Sequence, residues 1–300
     1  MTLQTKILAL DVGGTAIKSA LFDENGRILH SMEIPSEAKQ GGTRLMQNVI
    51  NVIDGYEGYS AIGVSVTGQV DPATGSIIFA NDNVPNFTGT NVAGILRNHA
   101  NVPVVVENDV NAAALGEACF GAGRDIADFL CLTYGTGIGG AIVIDGHIYR
   151  GANGVAAEIG HILTHPGGKS CTCGQQGCYE QYASTTALLA KARRIRTDIQ
   201  DGRDLFEKAR VYSELEKVIN DWKAEVVYGL VSLVHAFNPS LIILGGGVMC
   251  HEGLVKDIQE MLLPRIMATY RGVELTSARM GNFAGIWGVY TLAKHLTEEE

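Results

Sequence analysis

The chain has 300 residues, 46% of them hydrophobic, and a formal charge of −9. That is material for two domains of ordinary size with sizeable cores. The acidic balance, with no basic cluster, excludes a nucleic-acid partner, and no apolar run approaches the ~20 residues of a membrane span.

Residues 1–10 carry one lysine and too short an apolar run for a secretory signal, so the protein is expected to be cytoplasmic. Residues 6–10 close on Asp11-Val12-Gly13-Gly14-Thr15, and 17–22 resume the apolar pattern. Asp23-Glu24-Asn25-Gly26 is a hairpin signal, with a third strand expected near 27–32. Strand, glycine turn, strand is not the strand–loop–helix of a Walker A motif. Even so, Gly13, Gly14 and Thr15 expose N–H groups and a hydroxyl suited to phosphate, and Asp11 is placed to hold a hydrated Mg²⁺. A plain hairpin turn is the alternative.

A helix is expected over 43–53, a strand over 61–66 ending at Thr67-Gly68, a polar loop over 81–90 and a short helix over 92–98. Residues 102–107 form a near-continuous apolar run, the mark of a strand buried on both faces. It ends in Asn108-Asp109, and 110–119 continues as a helix. Ligands of open α/β sheets bind beyond the carboxyl ends of strands, where these two residues stand. Asp109 also occupies the expected N-cap position of that helix, so cap and catalytic base compete for it.

The second half repeats the first. A strand over 129–134 runs into Gly135-Thr136-Gly137-Ile138-Gly139-Gly140, then come a strand over 141–144, the hairpin signal Asp145-Gly146 and a strand over 147–149. Gly146 lies 120 positions after Gly26, which is domain spacing. Two similar domains, each with a glycine turn and a hydroxyl, make a cleft suited to both ends of a triphosphate. The domains are expected over 1–118, joined by a closing helix over 284–300, and over 119–283.

Three of the six cysteines, Cys171, Cys173 and Cys178, lie within eight residues. Three thiolates need a fourth donor to complete a tetrahedral metal site, and His161 is the nearest candidate. Three cysteines cannot pair off among themselves, so a structural zinc is favoured over a disulfide, with redox-active or inert thiols as alternatives. Glu158 and Glu180 flank the ligands and, held rigid by the metal, would present a polar face to a polyol; solvated loop charges are the other reading. Cys119, Cys131 and Cys250 stand singly among apolar neighbours and read as buried thiols.

Helices follow over 185–197, 204–209 and 213–235, stopped by Asn238-Pro239. A strand over 241–244 runs into Gly245-Gly246-Gly247, with a helix from about 252. This is not a dinucleotide fingerprint. The glycines would admit a ribose or flat ring to the backbone, or equally allow tight helix–strand packing. An amphipathic helix over 283–296 closes the chain, and the acidic tail 298–300 is expected to be solvated.

In family order, residues 11–15, Glu107-Asn108-Asp109-Val110-Asn111-Ala112-Ala113-Ala114, 134–140, 158–161, 171–180 and 244–247 resemble the ROK family (repressors, open reading frames and kinases) of the actin-like ATPase superfamily. The stretch through Glu180-Gln181-Tyr182-Ala183-Ser184 is similar to the bacterial ATP-dependent glucokinases of that family. The resemblance covers essentially the whole chain. It implies an α/β fold of two actin-like (ribonuclease H-like) domains, a cleft between them and a zinc-binding loop in the second. It implies ATP with Asp11, Gly13, Gly14, Thr15, Gly135, Thr136 and Gly137 at the phosphates and Gly245, Gly246 and Gly247 near adenosine. It implies a hexose held by Gly68, Asn86, Asn108, Asp109, Glu158, His161 and Glu180, with Asp109 the base for the 6-hydroxyl. Zinc would be held by His161, Cys171, Cys173 and Cys178.

Glucose is the expected substrate, N-acetylmannosamine or a β-glucoside the alternative; a sugar-responsive sensor without catalysis is the reading from another class. Many relatives carry a lysine where Ala16 stands, and whether Lys18 replaces it is left open by the sequence. After Pro85-Asn86 the chain has Thr90 and no tryptophan nearby, and Thr67 and Gln69 flank Gly68 where prolines are common. With ten residues ahead of Asp11, no DNA-reading helix-turn-helix is expected. A dimer or tetramer of identical chains is.

Overall fold

The computed structural model describes residues 5–298; Glu299 and Glu300 of the expected acidic tail lie outside the described residues, as do residues 1–4. Contacts divide the chain into two units. The first comprises residues up to Arg124, Arg150–Ala156 and the residues from Asn282; the second comprises Asp125–Tyr149 and Ala157–Gly281.

In the first unit β1 (Ile7–Val12), β2 (Ala16–Phe22) and β3 (Ile28–Pro35) form an antiparallel meander, with Asp23–Gly26 turning between β2 and β3 as the hairpin signal requires. Next come β4 (Ala61–Val66), a small hairpin of β5 (Gln69–Asp71) and β6 (Ser76–Phe79), and β7 (Val104–Asn108). The main sheet has the order β3-β2-β1-β4-β7, with β1, β4 and β7 parallel. Every residue of β4 is buried because both faces of the sheet are covered. On one face, Leu45 and Val49 of α1 (Gly42–Ile53) and Leu96 of α2 (Val92–Ala100) share a core with Leu10 and Val64. On the other, Ala112 of α3 (Asp109–Phe120) joins Ile286 and Val289 of the closing helix Ala284–Glu298 against Ile7, Ala9 and Ala61. Small residues bring the backbones together here: a Cβ on Gly63 would overlap the Val289 carbonyl, and one on Gly288 the Ala112 carbonyl.

The second unit repeats the topology. β8 (Phe129–Tyr134), β9 (Ile138–Ile144) and β10 (His147–Ile148) form the meander, β11 (Leu241–Gly245) and β12 (Glu274–Ser277) add parallel to β8, and the order is β10-β9-β8-β11-β12. The helices are α4 (Glu180–Ala183), α5 (Thr185–Ile195), α6 (Gly202–Ala209), α7 (Ser213–Phe237) and α8 (Leu254–Leu262). Trp222 of α7 is fully buried, and its indole N–H donates to the Ala183 carbonyl at 2.8 Å. This fastens the long helix to the short one that follows the cysteine loop.

Several details differ from expectation for local reasons. The β5–β6 hairpin and β12 are three or four residues long with one buried side chain each, too little for a hydrophobic signature. After Gly245–Gly247 the chain makes a 3₁₀ turn, and α8 starts only at Leu254, behind the left-handed Gly253 (φ +79°). Arg150–Ala156, expected with the second domain, belongs by contacts to the first, where the Arg150 guanidinium pairs with Glu107 at 2.6 Å. Of the three isolated thiols only Cys131 is buried; Cys119 is half-buried and Cys250, at the end of the 3₁₀ turn, is exposed. No described helix is long and apolar enough to cross a membrane.

Candidate active site

The first unit carries one group of candidates at the carboxyl ends of β1, β4 and β7. β1 ends on Asp11, and Gly13, Gly14 and Thr15 form a tight turn closed by the Gly13 N–H to the Ala16 carbonyl (3.0 Å), leaving Gly14 and Thr15 exposed. Asp11 accepts a 2.7 Å hydrogen bond from the Ser65 hydroxyl at the facing position of β4. Burial raises its pKa, against the opposing pull of Ser65 and of Lys18. Lys18 is the cross-strand partner of Asp11 in the β1–β2 ladder. A lysine charge therefore stands beside this turn although position 16 is alanine.

At the end of β7 the expected cap is corrected by one residue. Asn108, not Asp109, is the N-cap of α3: its side-chain oxygen accepts from the N–H groups of Val110 (2.9 Å) and Asn111 (3.1 Å). The Asn108 amide donates to the Gly68 carbonyl (2.9 Å) and to Asp109 (3.0 Å). Asn108 is thus spent on organising its neighbours, tying down the loop of Gly68 (φ +105°) and orienting the acid beside it. With Asn108 at the cap, the Asp109 carboxyl stands one position inside the helix and keeps a 2.9 Å bond from the Val110 N–H, which it shares with Asn108. Desolvation first, and then the charge of Asp11, push its pKa up to about 7. A carboxyl at that value is balanced to take a proton near neutral pH. Asn86 is exposed, in a left-handed turn (φ +57°).

Glu107 was a motif residue without a role. It is 2% exposed, accepts from the Asn108 N–H (2.9 Å) and the Asn111 amide (3.0 Å), and pairs with Arg150. A carboxylate this deep needs all those partners. They make it the anchor for both the Asn108-Asp109 corner and the 150–156 segment.

The second unit carries the other group. Tyr134 ends β8, and Gly135 and Thr136 lie exposed in the turn to β9. His161, Cys171, Cys173 and Cys178 bring one ligand atom each to within 4.8 Å of one another. The Cys173 and Cys178 sulfurs are 3.5 Å apart, and Cys171 lies 3.7 Å from Nδ1 of His161. Thiolates ~2.3 Å from a tetrahedral ion sit just under 4 Å from one another, so the donor set and spacing fit zinc. Burial and then the neighbouring thiols push the Cys178 thiol up to about 12, a crowding that a divalent cation would relieve. With Nδ1 turned to the thiols, Nε2 of His161 faces Glu158 at 3.9 Å, and Glu180 lies 3.9 Å from Nδ1 and 3.2 Å from the Cys171 sulfur. Glu180 also abuts the glycine turn after β8, because a Cβ on Gly137 would overlap its carboxylate. Gly245–Gly247 follow β11 within the same unit, Gly246 in a left-handed conformation (φ +98°).

Glu158 is aimed by a strained neighbour. Ala157 has φ +71°, and its carbonyl accepts from the Ile159 N–H at 2.6 Å across an inverse γ-turn at Glu158 (φ −69°, ψ +57°). Left-handed backbone costs an alanine ~1–2 kcal/mol, and glycine recovers most of that less its own chain entropy. Ala157→Gly is expected to stabilise the protein by ~0.5–1 kcal/mol, read as a higher midpoint in a thermal melt. An unchanged or lower midpoint would show that the turn carries no strain.

Comparisons with known proteins cover the full length of both groups. A model of the ROK family matches residues 7–296. A glucokinase of Thermotoga maritima is 31% identical over 310 residues, spanning 96% of this chain and 97% of that one. An N-acetylmannosamine kinase of Vibrio cholerae is 31% identical over 262 residues, spanning 87% and 90%. The crystal structure of a ROK family glucokinase from Streptomyces griseus in complex with glucose and AMPPNP superposes with a TM-score of 0.84 at 32% identity, over 97% of this chain and 99% of that one.

Proposed function

The chain belongs to the ROK family and is an ATP-dependent sugar kinase, and we propose that its reaction is phosphorylation of the 6-hydroxyl of glucose. The observation that carries the reading is Asp109: an acid at a strand's carboxyl end, next to the Asn108 cap, with a pKa raised to about 7 beside Asp11. In this mechanism the ionised Asp109 accepts the proton of the 6-hydroxyl as that oxygen attacks the γ-phosphorus of ATP and ADP departs. Phosphoryl transfer asks the protein for alignment and charge stabilisation more than for covalent chemistry. The exposed Gly14 and Thr15 in the turn closed by Gly13, and the exposed Thr136 in the 135–137 turn, offer N–H groups and hydroxyls that, with the Lys18 charge, suit the phosphates, and the Gly245–Gly247 turn suits adenosine. Asp11, desolvated and met by a neutral hydroxyl, would hold a hydrated magnesium ion, which supplies charge neutralisation at the phosphates. Glu158, Nε2 of His161 and Glu180 would take sugar hydroxyls, with structural zinc holding the last two in register. Gly68 and Asn86 would complete the sugar side, Asn108 acting on it chiefly through Gly68 and Asp109.

The glucokinase relatives favour glucose, and the N-acetylmannosamine kinase relative names the competitor. A coupled assay of ADP release from ATP with glucose, mannose, N-acetylmannosamine, a β-glucoside and fructose decides between them. Glucose is expected to have the highest kcat/KM, because buried polar groups discriminate sharply against a sugar that leaves them unpaired. Faster turnover of N-acetylmannosamine would overturn the substrate and keep the kinase. No turnover with any of the sugars would remove both.

A further inference from the structure

Between the cysteine loop and the glycine turn after β8 lies a buried pair of phenols. The Tyr134 and Tyr179 hydroxyls are 2.8 Å apart, and Tyr179 donates onward to the Val226 carbonyl of α7 at 2.7 Å. Both residues are fully buried and their rings meet edge to face. Tyr179 donates to Val226, so Tyr134 is the donor in the pair, and the chain of bonds has a single direction: Tyr134 to Tyr179 to Val226. Burial raises the pKa of both phenols, which keeps both protons in place.

The two ends of this chain matter. Tyr179 stands between Cys178 and Glu180, a metal ligand and a sugar-side carboxylate. Tyr134 immediately precedes Gly135, and its backbone is gripped from two more sides. The Thr185 hydroxyl donates to its carbonyl at 2.9 Å, and that carbonyl lies so near Gly246 that a Cβ there would overlap it. Tyr134 therefore touches the phosphate turn by sequence and the adenosine turn by packing, while Tyr179 carries the cysteine loop. A buried hydroxyl pair has one low-energy arrangement, whereas two apolar rings would tolerate several.

We infer that the Tyr134–Tyr179 pair is a positioning strut that couples the cysteine loop to nucleotide binding, so that the state of the loop sets the affinity for ATP as well as for sugar. This rests on the kinase reading above. It predicts an asymmetry. Tyr134→Phe cuts the strut but leaves Tyr179 bonded to Val226, whereas Tyr179→Phe strips both bonds.

The test is calorimetric titration of magnesium–AMPPNP, without sugar, into the zinc-loaded wild type, both single variants and the double variant, beside glucose titrations, metal analysis and melts. Tyr134→Phe is expected to weaken AMPPNP ~5–10-fold, the worth of one buried hydrogen bond, with zinc content and glucose affinity unchanged. The double variant should lose less than the product of the two single losses, as coupled partners do. AMPPNP affinity unchanged in both single variants, or nucleotide and sugar affinity falling together in Tyr134→Phe with a lower melt, would overturn the strut and leave the kinase reading standing. Wild type that binds no AMPPNP would overturn that reading itself.

Discussion

Asp109→Asn is expected to reduce turnover by ~10²–10⁴, the usual cost of losing a general base, while the protein melts at or above the wild-type temperature. The amide keeps the side-chain shape and a carbonyl to accept the Val110 N–H, now held by the carboxylate at 2.9 Å, but it cannot take a proton. The helix keeps its cap because that belongs to Asn108. The stability sign follows from the raised pKa. An acid whose folded value, about 7, lies above its ordinary 3.8 leaves folding unaffected below 3.8. As pH rises from there to about 7 it costs stability, since the unfolded chain ionises first. Removing the acid therefore relieves a penalty at neutral pH, a trade of stability for function often met at active sites. The same value sets the pH profile: kcat/KM of the wild type should rise tenfold per pH unit below about 7 and level off above it. Single-turnover phosphorylation beside a melt of the same preparation checks both halves. A wild-type rate in the variant, or a flat profile from pH 5.5 to 8, would leave Asp109 without a chemical role.

What was legible in the sequence is what local chemistry encodes. Asn25-Gly26 and Asp145-Gly146 demand positive φ and mark two hairpins, at Gly26 (φ +77°) and at Asp145 and Gly146 (φ +51° and +75°). The apolar run before Asn108 marks a strand with no solvent face, and the cysteine spacing marks a cluster that brings three thiols and His161 together in a donor set suited to zinc. Assigning the cap to Asp109 was an error of one position between two residues that cap equally well. Side-chain direction, set by where β7 ends, decides between them, and sequence does not carry it. The Glu107–Arg150 and Tyr134–Tyr179 bonds join residues 43 and 45 positions apart, so no local pattern announces them. Ala157 gives no sign of a left-handed backbone, because its strain is imposed by the turn around it.

Removing the zinc that we propose for the cysteine cluster should produce the other large effect, and Cys173 is the residue to use. Cys178 is fully buried, so truncating it would confound metal loss with core damage, whereas Cys173 is exposed and meets the cluster through its sulfur, 3.5 Å from that of Cys178. The base of the loop it would tie is anchored, since the Gly177 carbonyl accepts from the Thr164 and His165 N–H groups at 3.1 Å each. Its tip is held by short-range bonds, from Cys171 to Gln175 (2.9 Å), Gly174 to Cys171 (3.1 Å) and Gly177 to Lys169 (2.8 Å). Wild-type protein is expected to carry about one zinc per chain by elemental analysis, and Cys173→Ser none. Glucose affinity of the variant should fall ~10–100-fold, the range found when groups orienting a metal site are lost. The route is physical: Glu180 lies 3.2 Å from the Cys171 sulfur, and His161 faces the same thiol. When the thiols are no longer drawn to one ion, the carboxylate and the imidazole lose their common reference. Wild type prepared without metal, or a zinc-free variant that binds glucose as tightly as wild type, would show that the cysteine loop has no part in the sugar site.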